Sequence, residues 1–123
     1  MDKFEKLNKF WKGKKVLITG NTGFKGAWLS IFLNLLNAKV YGYALKPEKQ
    51  SLFEILKMKK ILKKNIFADI ENFDILNNYI KKIKPEIIFH LAAQPLVSTS
   101  YNHPLETIKT NIIGTSNLLS SLK

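Results

Sequence analysis

The chain has 123 residues, about the length of one average domain, so a single hydrophobic core is the ceiling. Apolar residues make up 46% and charged residues 24%, which argues against a disordered or fibrous chain, and the lack of cysteine removes disulfide frameworks, zinc-finger spacings and thiol nucleophiles. Net charge is +11, yet every basic residue is lysine, the lysines are spread along the whole chain, and no arginine fork is present to read bases or clamp phosphates. Lysine, isoleucine and asparagine together make 45 of 123 residues, a compositional bias of the whole chain. The expectation is a solvated basic surface with no nucleic-acid partner.

Residues 1–10 lack the apolar core of a signal peptide, and the longest greasy stretch, 27–36, is too short to span a bilayer. A cytoplasmic protein without membrane contact is expected. No internal repeat or Gly/Ser/Pro linker divides the chain.

The elements follow in order. Residues 2–11 place Phe4, Leu7 and Trp11 on one helical face, a short amphipathic lead-in. Val16-Leu17-Ile18 is a continuous apolar run closed by Thr19-Gly20, as expected of a strand buried on both faces. A helix is predicted over 24–36, with Asn37 in the left-handed conformation that ends it, then a strand over 39–43. Ser51 caps a predicted helix over 52–62, a strand follows over 65–68, and Asn72 opens a helix over 75–83. After the Pro85 breaker comes a strand over 87–91, then a last helix from about 104 to the end. This alternation predicts an α/β, Rossmann-like doubly wound parallel sheet, incomplete at about four strands, in the order 3-2-1-4.

The chemistry concentrates immediately after the first strand, in Gly20, Asn21, Thr22, Gly23, Phe24, Lys25 and Gly26. Such a loop needs glycine where the chain turns, where backbone approaches a pyrophosphate and where helix packs on strand. The helix start then offers unpaired N–H groups to the phosphates. Between a buried strand and a buried helix, this pattern predicts a dinucleotide site. Lys25 either reaches a phosphate or lies on the exposed side of the helix start.

The G-x-x-G-x-x-G spacing resembles the extended branch of the short-chain dehydrogenase/reductase superfamily. Three later segments share that resemblance: Asp69-Ile70, similar to the family's adenine-holding pair; His90 to Gln94 with Leu91, Ala92 and Ala93, similar to its cofactor-lining strand motif; and the Asn111 segment, where Asn111 would steady that strand by bonding its backbone. Within the branch, Phe10-Trp11-Lys12-Gly13-Lys14, the loop with its following Trp28, Tyr41-Gly42-Tyr43 and Gln94-Pro95-Leu96-Val97 resemble the CDP-glucose 4,6-dehydratase family over nearly the whole chain.

The resemblance implies an NAD-dependent lyase of deoxysugar biosynthesis, of the kind that feeds lipopolysaccharide O-antigen, acting on a nucleotide-sugar substrate by C4 oxidation, loss of water and C6 reduction. It implies a homodimeric full-length enzyme whose tyrosine is followed four residues later by lysine. No such pair exists here: Tyr41, Tyr43, Tyr79 and Tyr101 are followed by Leu45, Pro47, Ile83 and Leu105. The final apolar pattern through Leu118, Leu119 and Leu122 has no stop signal, and those three leucines are expected to be exposed. The expectation is therefore a cofactor-binding fragment, 1–123, inactive alone, with no catalytic residue and no metal site.

Other residues carry alternatives. The stretch after the second strand, Val40 to Lys46, lacks the acid that usually bonds an NAD ribose. Lys46 either favours a 2′-phosphate or is solvated. Gln94 and Ser100 are candidates for contacting substrate, against plain turn chemistry. Asp69 either holds adenine or terminates a strand. His90 is expected to be packed and hydrogen-bonded, and Trp28 and Phe32, one turn apart, to be core. Rival functions are another extended-branch dehydratase or epimerase, and a non-catalytic nucleotide-sensing module of the same fold.

Overall fold

Short apolar segments form one parallel sheet in the computed structural model, which describes residues 1–123: β1 (Lys15–Thr19), β2 (Lys39–Ala44), β3 (Lys64–Phe67) and β4 (Ile87–His90). The spatial order is β3-β2-β1-β4, as the alternating pattern predicts, with Leu17 opposite both Tyr41 and Ile88. Alternate side chains of β1 feed two cores. Val16 and Ile18 join Leu33, Val40, Phe53 and Met58 on one face, and Leu17 joins Tyr43, Leu76, Tyr79 and Ile80 on the other.

Helices cover both faces. On the first lie α1 (Lys3–Trp11), α2 (Phe24–Leu35) and α3 (Leu52–Ile55), on the second α4 (Phe73–Ile83). Local chemistry sets their ends. Asp2 and Glu5 form a reciprocal capping box on α1, and Asn72 Oδ1 accepts the Ile75 amide at 3.1 Å. Asn37 takes φ 62° after α2, and Lys84 takes φ 54° after α4. No helix is long and apolar enough to cross a membrane.

Several expectations are corrected. The helix over 52–62 is two pieces, α3 and a 3₁₀ turn over Met58–Lys60, separated by Lys57 at φ 50°. Phe53 and Met58 are both buried in the same core, and an uninterrupted helix would set residues five apart about 140° from one another. The break at Lys57 resets the phase. A helix α5 (Val97–Asn102) occupies a stretch with no apolar period and buries nothing. The last helix is segmented into α6 (Pro104–Ile108), a π turn (Lys109–Ile113) and α7 (Gly114–Ser121).

Burial also departs from expectation at three side chains. Trp28 and Phe32 are 52% and 47% exposed, because α2 packs on the sheet through small residues, Gly26, Ala27 and Ser30, together with Leu33. Leu118 is only 5% exposed, seated with Ile70, Leu76 and Ile80, while Leu119 and Leu122 are exposed as predicted.

Parallel topology also sorts the charge. Lys15 faces Lys39 in register, Lys64 begins β3, and Lys84 precedes β4, so these lysines gather at the sheet edge where the strands begin. Lys64 is held below the ordinary lysine range by the charge of Lys82 beside it. The opposite edge, where all four strands end, carries the glycine loop, and ligands bind at this edge in open α/β sheets.

Candidate functional site

A cleft of about 700 Å³ opens at the carboxyl ends of the strands. Its floor is the glycine loop. Gly20 sits at φ 75°, and a Cβ there would lie 2.6 Å from the Leu91 carbonyl carbon, so neither the turn nor the approach of the two segments tolerates a side chain. Gly26 meets the Gly20 carbonyl and lies so near Asn21 Cα that a Cβ would come within 2.7 Å, which lets α2 close on the end of β1. Gly23 differs: its backbone, φ −76° and ψ 170°, suits any residue, and a Cβ would meet only the Gly20 carbonyl at 3.4 Å. Its missing side chain leaves an open cradle in the cleft.

Gly23 is the N-cap of α2 and provides no side-chain cap. The amides of Phe24, Lys25 and Gly26 make no hydrogen bond within the chain, whereas Ala27 N–H already bonds the Gly23 carbonyl at 2.9 Å. Three donors and the positive end of a helix dipole therefore face space lined by Lys25, the cleft's single lysine. Thr22 Oγ1 donates to the Leu45 carbonyl at 3.0 Å, tying the loop to the end of β2.

The wall opposite is Leu91, Ala92 and Ala93, reached through His90. His90 is hydrogen-bonded at both ring nitrogens, to Thr19 Oγ1 at 2.7 Å and to Thr115 Oγ1 at 3.0 Å, and burial holds its pKa below the ordinary histidine value. Asp69 and Ile70 form the far end, beyond β3. The Asp69 carboxylate accepts the Glu71 amide at 2.9 Å, and its carbonyl accepts the Tyr43 hydroxyl at 2.8 Å.

Of the residues singled out in the sequence, Gly20, Thr22, Gly23, Phe24, Lys25, Gly26, Asp69, Ile70, Leu91, Ala92 and Ala93 line this one cleft. Four do not. Asn21 is fully buried and points inward, its Nδ2 donating to Asn65 Oδ1 at 2.7 Å, because the turn at Gly20 aims it between β2 and β3. Asn111 works from behind: its Oδ1 accepts the Gln94 amide at 2.7 Å and its Nδ2 donates to the Gln94 carbonyl at 3.3 Å. Gln94 folds back on its own turn, with Oε1 accepting the Leu96 amide at 2.7 Å, and Ser100 donates to the Val97 carbonyl at 2.7 Å within α5. Neither Gln94 nor Ser100 offers a free polar group to the cleft. Lys46, next to Leu45, is exposed and is not among the residues that line the cleft.

Sequence reasoning missed Tyr43 and Thr110 in the lining and Thr19 beneath it. Tyr43 and Thr19 carry a usable signal, since Thr19 ends β1 and Tyr43 is the next-to-last residue of β2.

Comparison with known proteins shows the family and agrees with the fold. The sequence profile described as GDP-mannose 4,6 dehydratase matches residues 17–123, from the middle of β1 through α7. The chain belongs to that family. Among curated relatives of this GDP-mannose 4,6-dehydratase family member, a CDP-glucose 4,6-dehydratase of Salmonella typhimurium is 51% identical over 115 residues, covering 93% of this chain and 32% of that protein. A UDP-glucose 4-epimerase of Mycoplasma genitalium is 33% identical over 109 residues, covering 88% and 32%. The solved UDP-glucose 4-epimerase of Thermotoga maritima superposes with a TM-score of 0.75 at 28% identity, over 86% of this chain and 33% of that one. The chain spans about a third of the length of the curated relatives it matches.

The cleft of this family member fits a dinucleotide. The Gly23 cradle and the three free amides suit a pyrophosphate, while the end of β2 offers Leu45 rather than an acid to the ribose.

Proposed function

We propose that this chain supplies the NAD-binding part of a nucleotide-sugar 4,6-dehydratase that converts CDP-glucose to CDP-4-keto-6-deoxyglucose and water. The observation that carries this reading is the 51% identity to a CDP-glucose 4,6-dehydratase across 115 residues, against 33% to a 4-epimerase over a similar span. When bound, NAD supplies a nicotinamide that accepts hydride from sugar C4 and returns it at C6. The chain's own part is to bind and orient. The amides of Phe24, Lys25 and Gly26 take the pyrophosphate, with the Lys25 ammonium beside them, and Asp69 and Ile70 take the adenine end. Leu91 to Ala93 form the wall that fixes how deep the cofactor lies.

Proton transfer is not served by these residues. Tyr43 lines the cleft, but burial and the Asp69 charge push its hydroxyl up to about 12, the wrong direction for a base near neutral pH. None of the four tyrosines has a lysine four residues on. The acid/base pair is assigned to residues outside the 123.

The test is a chimaera joining residues 1–123 to the remaining two thirds of the Salmonella relative, assayed beside the chain alone. The expected result is a 4-keto-6-deoxy product from CDP-glucose with the chimaera and none with the chain alone. A chimaera that folds but neither binds NAD nor forms product would contradict the reading of residues 1–123 as the cofactor-binding part. Turnover by the chain alone would contradict the division of labour.

A further inference from the structure

We infer that Thr19 and His90 act as a pair of positioning residues that hold the Leu91–Ala92 wall of the cleft against the glycine loop. This rests on the reading of the cleft as an NAD site. Thr19 is fully buried at the end of β1, and its Oγ1 accepts the Ala92 amide at 3.2 Å and shares the Leu91 amide, 3.1 Å away, with the Thr19 carbonyl at 3.0 Å. With its lone pairs turned to those amides, the hydroxyl has one proton to give, and His90 Nδ1 at 2.7 Å is the acceptor in reach.

That assignment fixes the rest by donor counting. Nδ1 must be bare, so the imidazole proton sits on Nε2 and is donated to Thr115 Oγ1 at 3.0 Å. Thr115 passes its own proton to the Asn111 carbonyl at 2.7 Å. Asn111 in turn grips the Gln94 backbone at both its N–H and its carbonyl. One chain of hydrogen bonds thus runs from β1 through β4 to the π turn and holds the wall at Leu91–Ala92 and at Gln94. The opposite tautomer leaves the buried Thr19 proton without an acceptor.

A second proton on His90 has the same effect, since it would point at Thr19 Oγ1 and leave the hydroxyl proton nowhere to go. The groups packed around the ring, Thr19 from β1 and Asn111 and Thr115 from the π turn and α7, are uncharged. Lys25, Tyr43 and Asp69 line the same cleft without a hydrogen bond to His90. Neutral His90 therefore belongs to the ordered wall, and acid loosens it.

The test is NAD titration of wild type, Thr19→Val, Thr19→Ser and His90→Asn between pH 5 and 8, with thermal unfolding of each and ¹⁵N NMR of the wild-type imidazole. Wild-type affinity is expected to stay flat above pH 6.5 and to fall below it. His90→Asn should lose that pH dependence, Thr19→Val should bind roughly tenfold more weakly, and Thr19→Ser should restore binding. The NMR should show the proton on Nε2, a readout that stands even where Thr19→Val fails to fold. A proton on Nδ1 at neutral pH, or a folded Thr19→Val that binds NAD as tightly as wild type, overturns the inference. Failure of the wild type to bind NAD at any pH instead overturns the cofactor reading.

Discussion

Gly23→Val separates binding from folding more cleanly than any other change in the loop. The Gly23 backbone lies in extended conformation, φ −76° and ψ 170°, and its Cβ would make an ordinary contact 3.4 Å from the Gly20 carbonyl. Native strain is therefore small, and loss of glycine freedom in the unfolded chain offsets it by about 0.4–1 kcal/mol. The valine methyls enter the cleft over the free amides of Phe24, Lys25 and Gly26. Hydrogen bonds to charged groups are worth about 1.5–3 kcal/mol each, so losing two of them to a phosphate weakens NAD by about 3–6 kcal/mol, on the order of 10² to 10⁴-fold in Kd. Gly20→Ala and Gly26→Val behave differently, since their Cβ atoms would reach 2.6 Å from Leu91 C and 2.7 Å from Asn21 Cα. Those two should lower the unfolding temperature before they report on binding. Calorimetric titration with NAD, paired with thermal unfolding of each variant, measures both quantities. A folded Gly23→Val that binds NAD like wild type would refute the cradle.

NAD should bind at least as tightly as NADP, because Lys46 stands outside the lining and no arginine is available to clamp a 2′-phosphate; a tenfold preference for NADP in side-by-side titrations would contradict this. Asn21→Ala should cost about 1–3 kcal/mol of stability by taking the donor from Asn65 Oδ1, whose neighbouring Nδ2 is already buried without a partner, with NAD affinity within about threefold of wild type, measured by denaturant unfolding and titration. Stability should fall at both pH extremes in denaturant melts. His90 has its folded pKa lowered by burial, so the unfolded chain takes up the proton first and stability drops as pH falls below 6.5. Tyr43 has its folded pKa raised from 10.0 to about 12, so its contribution is intact below pH 10 and is lost as pH rises toward 12, with Tyr79 shifted upward in the same sense by burial.

Strand order and the place of the cleft were legible because each depends on a local signal. Val16-Leu17-Ile18 is apolar without alternation, as a strand buried on both faces requires, and the glycines follow it at once. What stayed hidden depends on partners distant in sequence. The break at Lys57 exists because Phe53 and Met58 must reach one core, which no helical period announces. Trp28 and Phe32 read as core by size, yet the close approach of α2 to the sheet is made by Gly26, Ala27 and Ser30, which turns the aromatic rings outward. Asn21 reads as part of a phosphate loop, and only the turn at Gly20 shows that it faces Asn65, 44 residues away. The lysines read as scattered until parallel register gathers Lys15, Lys39 and Lys64 at the edge away from the cleft.

An amide-resolved ¹H–¹⁵N titration of the protein with NAD tests the assignment of the cleft most directly. The amides of Phe24, Lys25 and Gly26 should shift most, with Asp69, Ile70 and Leu91 to Ala93 moving in step along one saturable curve. Shifts clustered instead at Lys15, Lys39 and Lys64, or no saturable shift at all, would contradict it.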